Sequence, residues 1–312
     1  FMHYTLHQLQ VFSKVVQLKS ITRASEELHM TQPAVSIQLK NFQEQFDIPL
    51  TEIVGRQLYV TDFGKEIYDM AERIIEQVYA INYKTLAYKG HLSGRLVLSI
   101  VSTGKYIMPY FLGEFMKKNE GVDLMMDVTN KAKVISSLQN NEIDFALISV
   151  LPDGLKVNEV ILLENELYLV GNRSHKHSKK LITKGEISKM PLIYREEGSG
   201  TRFVMENYFK KQNILIRKKM ELTSNEAVKQ SVIAGLGYSI MPLIGIRNEL
   251  LSGELKIIPS MGFPIKSKWR LIWLKGKKLS PISEAFLEYL SKNRGQLLKR
   301  HFSWIEDVNA HK

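Results

Sequence analysis

The sequence predicts an α/β protein with an all-α-rich N-terminal part and a C-terminal α/β part. Apolar residues recur at helical spacing through roughly the first 90 residues. After that, nearly continuous apolar runs alternate with helical patterns, which is typical of βαβ units. The chain of 312 residues is long enough for two or three domains with sizeable cores. We therefore expect a helical domain followed by a parallel sheet with crossover helices.

Two short helices joined by a tight turn are predicted between Ser20 and Lys40. Ser20 is a good N-cap for the first helix, and Thr31 is a good N-cap for the second. Pro33 lies in the first turn of the second helix, where its missing N–H has no intrahelical partner to lose. We therefore expect a helix-turn-helix in this segment.

The second of these helices has one apolar and one polar face. The apolar positions recur at +4, +3 and +4, and they are Val35, Leu39, Phe42 and Phe46. Gln32, Ser36 and Lys40 lie on the opposite face, and their amide, hydroxyl and ammonium groups suit base edges and phosphates. The spacing is equally typical of a helical hairpin with a solvated outer face, so both interpretations stay open.

A short hairpin and a long helix are predicted next. Arg56 lies at the hairpin tip, where it can reach phosphate or enter a minor groove. Thr61 caps a helix that runs to about Lys89. The helix carries an apolar seam with an average spacing of 3.5 residues, formed by Ile67, Ala71, Ile74, Val78 and Ile81. This seam favours dimerisation through a coiled coil, and packing of the helix on its own domain is the alternative.

The C-terminal part begins after a predicted linker over residues 91–94. Strands are predicted over 96–101, 123–129, 144–150, 166–171, 191–195, 237–241 and 269–274. Helices are predicted over 133–140, 201–212 and 282–290, with a helix that buries Leu112, Phe115 and Met116 and a helix capped by Asn225. The polar remainder, residues 299–312, is expected to be loosely held.

Polar side chains follow several of these strands. They are Ser102, Thr103, Thr129, Asn130, Ser199, Thr201 and Arg202. Ligands of open α/β sheets bind beyond the carboxyl ends of the strands, so we expect these residues to line a cleft for a carboxylate or phosphate. Simple helix capping is the alternative for each hydroxyl, and one residue can serve both roles.

The composition disfavours several other classes of protein. The chain has no cysteine, which excludes disulfides and thiolate chemistry. His175 and His177 are close in sequence, but their spacing in a lysine-rich loop is more typical of solvated surface than of a metal site, so we expect no metal and no cofactor. We find no catalytic acid–base or nucleophile pattern and expect no enzyme. No apolar run is long enough for a membrane span and no signal-peptide pattern occurs, so we expect a cytoplasmic protein.

The net charge of +11 does not locate a nucleic-acid surface. Residues 1–92 contain nine Lys and Arg against ten Asp and Glu. The positive excess therefore lies in the C-terminal part, in runs such as 175–180, 217–219 and 275–278. Each of these runs is more typical of solvated surface than of a binding site.

The sequence resembles the LysR-type transcriptional regulators over essentially its whole length. The segment Ala24–Ser36 is similar to the helix-turn-helix of that family. Ile48–Leu50 and Thr61–Gly64 resemble its wing and the entry to its linker helix, while Arg195–Arg202 and Gly235–Pro242 resemble its effector-domain motifs. Ser102–Tyr106 with Pro109 is also similar to the subgroup that regulates carbon-fixation operons.

This resemblance implies a winged helix-turn-helix over 1–62, a linker and dimerisation helix over 63–92 and an effector-binding domain over 93–312. The last would be periplasmic-binding-protein-like, with lobe I over about 93–163 and 267–300 and lobe II over about 164–266. Double-stranded DNA would contact Thr31, Gln32, Pro33, Ser36, Lys40 and Arg56. The other implied partners are a small anionic metabolite, RNA polymerase and further copies of the chain in a homodimer or homotetramer. A solute-binding sensor without transcriptional activity is the alternative function.

The sequence departs from the family pattern on the expected DNA side. Ile37 stands where an arginine is usual, and an isoleucine can contact a thymine methyl but cannot bind guanine bidentately. Thr51-Glu52-Ile53 replaces the usual Phe-x-Arg at the base of the wing, and Ser25 replaces an alanine. We therefore expect weaker nonspecific DNA affinity and a shallower salt dependence than the family norm.

Overall fold

The computed structural model describes residues 3–55, 57–87, 92–174 and 181–306 of the chain. These residues belong to two compact units, residues 1–94 and residues 95–312, which we call unit 1 and unit 2. Each unit has its own apolar core and is described by itself.

Unit 1 consists of helices and one small hairpin. Its elements are α1 (Leu6–Leu18), α2 (Ile21–Glu27), α3 (Gln32–Gln43), β1 (Thr51–Val54), β2 (Gln57–Val60) and α4 (Asp62–Ala87). The Ser20 hydroxyl accepts a hydrogen bond from the Arg23 N–H at 3.3 Å, and the Thr31 hydroxyl accepts one from the Ala34 N–H at 3.4 Å. Both predicted N-caps are therefore present, and His29 turns the chain between the two helices with a φ of 53°.

The core of unit 1 forms between α1, α3 and the start of α4. Phe12 and Phe42 are fully buried, with ring centroids 5.0 Å apart. Val35 and Leu39 are buried beside them, and Phe46 packs against the core from just beyond the end of α3. The apolar face predicted for α3 therefore holds that helix in place and leaves its opposite face outward.

Helix α4 does not present the whole predicted seam to solvent. Ala71 is fully buried in the core of unit 1, and Ile67 packs against the same core. The prediction that Ala71 contacts a partner helix is corrected, because its own domain covers it. Ile67 is only half-buried, so its contact with a partner helix stays a prediction. Ile74 and Ile81 are 44% and 65% exposed, and Val78 is half-buried.

Unit 2 contains a large mixed sheet with helices around it. Its first half comprises β3 (Ser93–Val101), which begins at the end of unit 1, a short 3₁₀ helix (Ser102–Tyr106), α5 (Met108–Lys118), β4 (Gly121–Thr129), α6 (Lys131–Gln139) and β5 (Phe145–Ile148). Its second half comprises β6 (Val157–Asn172), α7 (Lys184–Lys189), β7 (Pro191–Arg195), α8 (Gly200–Lys211), β8 (Arg217–Leu222), α9 (Asn225–Ile233), β9 (Ser239–Pro242), α10 (Arg247–Leu251), β10 (Leu255–Ile257), β11 (Ile265–Leu274) and α11 (Pro281–Phe302).

Two long antiparallel strands connect the two halves of unit 2. The sheet order is β10-β6-β11-β5-β3-β4, with β9 also paired to β6. Strands β3 and β5 are parallel, as the βαβαβ pattern predicts. Strands β6 and β11 pair along almost their full lengths, from Ile265 opposite Leu167 to Leu274 opposite Val157. We call the part around β3–β5 lobe I and the part around β7–β10 lobe II.

Several predicted boundaries in unit 2 are corrected. The strand expected over 166–171 begins at Val157, because its first half runs through lobe I before it enters lobe II. Ser93 and Gly94 lie in β3, although they were assigned to the linker. Ser224, not Asn225, caps α9, since its hydroxyl accepts the Ala227 N–H at 3.0 Å. Strands β8 and β10 were not predicted.

The C-terminal helix is also longer than expected. Helix α11 continues to Phe302, which is 5% exposed and stacks on Phe111 with ring centroids 5.8 Å apart. Trp304 and Ile305 pack against the apolar core of lobe II. The segment 299–306 is therefore held by packing, which corrects the expectation of a loose tail over these residues.

Candidate functional sites

The outer face of α3 carries the residues predicted to face DNA. Gln32, Pro33 and Lys40 are exposed, and Ser36 is half-buried between them and the core side of the helix. Lys40 has one distant acidic neighbour, Glu44, at 3.7 Å, so its ammonium group stays available to a phosphate. The described residues predicted to contact DNA thus lie at the N-terminal end and along one side of a single helix. They are Thr31, Gln32, Pro33, Ser36 and Lys40.

The hairpin of β1 and β2, which we call the wing, presents apolar rather than basic side chains on its described residues. Ile53 and Val54 are 69% and 60% exposed, and Ile37 on α3 is 57% exposed. Thr51 is buried, and its N–H and hydroxyl both donate to the Gln43 side-chain oxygen, at 3.2 and 2.7 Å. Thr51 therefore connects the wing to α3. Arg56 lies outside the described residues.

Five of the seven predicted effector residues line one small cavity in unit 2, which we call the cleft. They are Ser102, Thr103, Asn130, Ser199 and Thr201. The 3₁₀ helix, α6 and α8 each begin at this cavity after a strand ends, so backbone N–H groups from both lobes point toward it. The Asn130 and Ser199 side chains also cap α6 and α8, with acceptor distances of 3.0 and 3.4 Å. Helix capping and ligand binding, the two roles considered for these residues, are both compatible with the structure.

A buried arginine crosses the cavity from lobe II to lobe I. Arg195 is 6% exposed, and its guanidinium donates to the Ser102 hydroxyl at 3.2 Å. The same guanidinium holds the Glu196 carboxylate bidentately, at 2.8 and 2.9 Å. The cavity has a volume of about 10 Å³, which is space for about one water molecule. Arg195 thus connects the two lobes across this cavity.

Lys131 supplies a second cation to the same cavity. Its ammonium group lies 4.5 Å from the centroid of the Phe203 ring. Burial lowers the pKa of Lys131, and the charge of Asp153 opposes that shift. A bound anion would offset the desolvation of this ammonium group, so the site favours negative charge.

Arg202 does not line the cavity, although it was predicted to bind the effector. Its guanidinium pairs with Glu206 at 2.7 Å and Glu221 at 2.8 Å, and it donates to the Arg195 carbonyl at 3.2 Å. These carboxylates raise the pKa of Arg202 against the opposing effect of burial. The predicted role is corrected, because β8 supplies a carboxylate partner that turns Arg202 away. Thr129 is half-buried at the end of β4, beside the cavity but outside its lining.

Three polar or charged residues of the lining were not among the predicted effector residues. Lys131 directly follows the predicted Asn130, and Ser149 directly follows β5. Arg195 opens the segment that was identified as one side of the cleft. The rule that ligands lie beyond strand ends could have found all three, but it gave no reason to prefer Arg195 over Arg202.

Within the described ranges of the chain, no helix is both long and apolar enough to cross a membrane. Within the same ranges, no three acidic or histidine side chains are grouped as metal ligands would be.

Two family models match the chain over most of its length. The model described as a bacterial regulatory helix-turn-helix protein of the lysR family matches residues 6–65. The model described as a LysR substrate binding domain matches residues 89–294. The first match covers unit 1 up to the start of α4, and the second covers most of unit 2.

Curated relatives and solved structures agree with these matches. The HTH-type transcriptional activator CmpR of Synechocystis is 36% identical over 287 residues, covering 92% of this chain and 94% of CmpR. A RuBisCO operon transcriptional regulator of Acidithiobacillus ferrooxidans is 35% identical, covering 92% of this chain and 94% of its own.

The solved structures include one of a close homologue with a ligand. The regulatory domain of CcmR from Synechocystis in complex with 2-PG is 37% identical, with a TM-score of 0.61, and covers 64% of this chain and 96% of that one. Full-length CbnR complexed with its target DNA has a TM-score of 0.69 at 20% identity, covering 92% of this chain and 99% of that one. The CbnR likeness supports the fold.

Proposed function

Because this chain belongs to the LysR family of bacterial transcriptional regulators, we propose that a small anion entering the cleft controls how the protein binds promoter DNA. The protein has the family's DNA-binding helix-turn-helix and its effector-binding domain.

The contact from Arg195 to Ser102 is the observation that carries the proposal. It joins the two lobes with a hydrogen bond to a neutral hydroxyl. A phosphate or carboxylate is a stronger partner for a guanidinium, because charge-assisted hydrogen bonds are roughly twice as strong as neutral ones. An anion therefore replaces Ser102 as the partner of Arg195 and also draws in Lys131.

The small cavity makes this binding a conformational event. A volume of about 10 Å³ does not admit a metabolite, so the lobes must separate to bind one. The ligand thus favours a different arrangement of the lobes and shifts the population toward it. Such a shift, passed on within an oligomer, is how we expect effector binding to change the contact with DNA.

A small phosphorylated carboxylate is the proposed class of effector. The CcmR regulatory domain is described in complex with 2-PG, which is 2-phosphoglycolate. The hydroxyls, amides and two cations of the cavity suit the charges of such a ligand. We extend the relatives' role to this chain and propose that it regulates carbon-fixation genes.

The proposal for DNA rests on α3 and the wing. Gln32, Ser36 and Lys40 enter the major groove, and the protein acts as a homodimer or homotetramer joined through the exposed part of α4 around Ile74. Contact with RNA polymerase and a cytoplasmic location follow from this role. We propose no catalytic activity, since the cavity offers hydroxyls and cations for binding rather than a catalytic pattern.

Calorimetric titration of the full-length protein with 2-phosphoglycolate tests the proposal. Ser102→Ala combined with Thr201→Ala removes two hydroxyls from the cavity, and we expect roughly a hundredfold loss of ligand affinity, because each hydrogen bond to a charged group contributes about 1.5 kcal/mol or more. The variant should still bind promoter DNA without ligand. A footprint on the promoter, with and without ligand, reads out the response.

Ser136→Ala is the matched control, because Ser136 is exposed on α6 away from the cavity lining. It should leave both affinities unchanged. Equal losses of ligand and DNA binding in the double variant would mean that the hydroxyls only stabilise the fold. A protein that binds 2-phosphoglycolate but protects no promoter would support the solute-binding sensor instead.

A further inference from the structure

A second and larger pocket lies beside the cleft. Its floor is the first half of β11, one wall is α8 and the other wall is the segment 149–151 after β5. Its volume is about 610 Å³, within the range of roughly 300–1,000 Å³ of small-molecule sites. We call it the lateral pocket. It is far larger than the cavity around Arg195, and nothing in the role proposed for that cavity uses it.

The walls of the lateral pocket are largely apolar and aromatic. Phe203 and Leu151 are 40% and 38% exposed on the two walls, so they form part of one apolar surface rather than isolated exposed side chains. Tyr208 turns its ring to the pocket region while its hydroxyl donates to the Met261 carbonyl at 3.0 Å. Ile265 completes this surface from the floor. The pocket therefore suits a ligand with a flat or branched apolar body.

The charged residues of the lining favour an anion. Four cations and one carboxylate, Glu164, face the pocket. Lys266 is paired with Glu166 at 3.3 Å, and Arg270 is paired with Glu159 at 2.8 Å.

The other two lining cations are Lys211 and Lys268. Across the described part of the chain, neither has a carboxylate within 4.0 Å of its ammonium group. Lys268 lies directly opposite Glu164 in the strand register and is half-buried. An anionic group on the ligand would satisfy Lys268, while Glu164 limits the charge that the pocket accepts.

The lateral pocket touches the cleft at two points. Ser149 lines both cavities. Phe203 lines the lateral pocket, and the ammonium group of Lys131, which lines the cleft, lies 4.5 Å from its ring. A ligand that stacks on Phe203 therefore alters the surroundings of a cleft cation. Such a contact links the occupancy of the two sites.

We propose that the lateral pocket is a second ligand site for a small amphipathic monoanion, an apolar ring or branched body bearing one carboxylate, and that its occupancy is coupled to the cleft through Phe203 and Lys131. The site itself does not depend on the proposed function. The coupling rests on it, since it needs an anion in the cleft.

Titration of the full-length protein with 2-naphthoate tests the site, and neutral 2-naphthylmethanol is the matched ligand. We expect saturable binding of one naphthoate per chain and at least tenfold weaker binding of the alcohol. Lys268→Glu and Leu151→Glu should each weaken naphthoate binding at least tenfold. Lys256→Glu on β10 and Leu215→Glu, which alter exposed residues outside the pocket, should have no effect.

The coupling is tested by titrating 2-phosphoglycolate at saturating naphthoate. Its affinity should change at least threefold in the unmodified protein and not in Phe203→Leu. By reciprocity, 2-phosphoglycolate should change naphthoate affinity by the same factor. If saturating naphthoate left the affinity for 2-phosphoglycolate unchanged, the coupling would be overturned, but the lateral pocket would still stand as a ligand site.

Three outcomes would overturn the second site. The first is the absence of saturable naphthoate binding. The second is binding that survives both pocket variants and fails in the Ser102→Ala, Thr201→Ala variant, which would place naphthoate in the cleft. A change in molecular mass on Leu151→Glu, measured by light scattering, would assign the pocket to contact between copies of the chain. If 2-phosphoglycolate fails to bind but naphthoate binds as expected, the proposed function fails and the second site stands.

Discussion

Arg195 and Arg202 differ in which neighbouring groups bind their guanidinium groups, and this difference decides which of them faces the cleft. Both lie in the segment that borders the cleft, and both are largely buried. Arg202 pairs with Glu206 on its own helix and with Glu221 on β8, whereas Arg195 pairs with Glu196 and its Nη2 also donates to Ser102 in the opposite lobe. The residue available to a ligand is therefore the one whose partners leave a donor toward the cavity.

Tyr194 lies beside Arg202, and we expect its phenol to make the stability of unit 2 sensitive to alkaline pH. Burial raises the pKa of its phenol to about 12, the charge of Glu206 acts in the same direction, and Arg202 opposes both. The folded-state pKa is above the unfolded value of about 10. The stabilisation is thus fully present below about pH 10 and is lost as the pH rises through about 12.

Tyr194→Phe removes this dependence. Between about pH 9 and pH 11, we expect the free energy of unfolding of unit 2 to fall by about 1.4 kcal/mol less in the variant than in the unmodified protein. All three tryptophans of the chain, Trp269, Trp273 and Trp304, lie in unit 2, so fluorescence-monitored urea unfolding reports on that unit. Tyr110→Phe, at an exposed phenol of unit 2, is the control, and an equal effect there would contradict the assignment.

At the scale of elements, α3 and the wing combine a well-fixed scaffold with an apolar surface. Gln43 and Thr51 connect them through two hydrogen bonds, and the fully buried Phe42 fixes α3 on α1. The exposed side of the same elements carries Ile37 and Ile53. We therefore expect well-positioned specific contacts and a small electrostatic contribution to DNA affinity.

Ile37→Arg should strengthen and steepen the electrostatic part of DNA binding. An added phosphate contact changes the slope of log affinity against log salt concentration by about 0.9. We expect that change on promoter and on unrelated DNA, measured by fluorescence anisotropy over a salt series. Gln17→Arg adds the same charge to the exposed side of α1 and should change the slope less. Equal slopes for the two variants would place Ile37 away from the DNA.

At the scale of the whole molecule, the exposed part of α4 is the surface that we expect to join two chains. Ile74 is 44% exposed and Val78 is half-buried, while Ala71 one turn earlier is covered by unit 1 itself. The seam predicted over two heptads is thus shortened at its start. Burial of these exposed apolar side chains against a second helix would remove apolar area from water and so stabilise the association of two chains.

Ile74→Asp should dissociate the oligomer through this surface. The substitution would place a carboxylate in an apolar contact, where an unpaired charge is strongly unfavourable. Light scattering of the full-length protein should show a lower mass, and DNA affinity should fall with it. Tyr79→Asp is the control, since Tyr79 is 46% exposed on another side of the same helix. An unchanged mass for Ile74→Asp would contradict the predicted seam.

The sequence by itself determined the order of the domains, the helix-turn-helix, its caps and half of the residues that line the cleft. These features depend on contacts within a few residues, such as Thr31 to Ala34, or on the local rule that ligands lie beyond strand ends. The family resemblance was confirmed by the matches to both units.

Only the tertiary structure decided which cation reaches the cleft, which seam residues stay exposed and how the lobes are joined. The partner of Arg202 is 19 residues away in a strand that was not predicted, and Arg195 meets a hydroxyl 93 residues away. The burial of Ala71 depends on α1 and α3, and the length of β6 depends on its pairing with β11. Each outcome is set by a partner that local sequence patterns do not identify, because periodicity specifies which face is apolar but not what covers it.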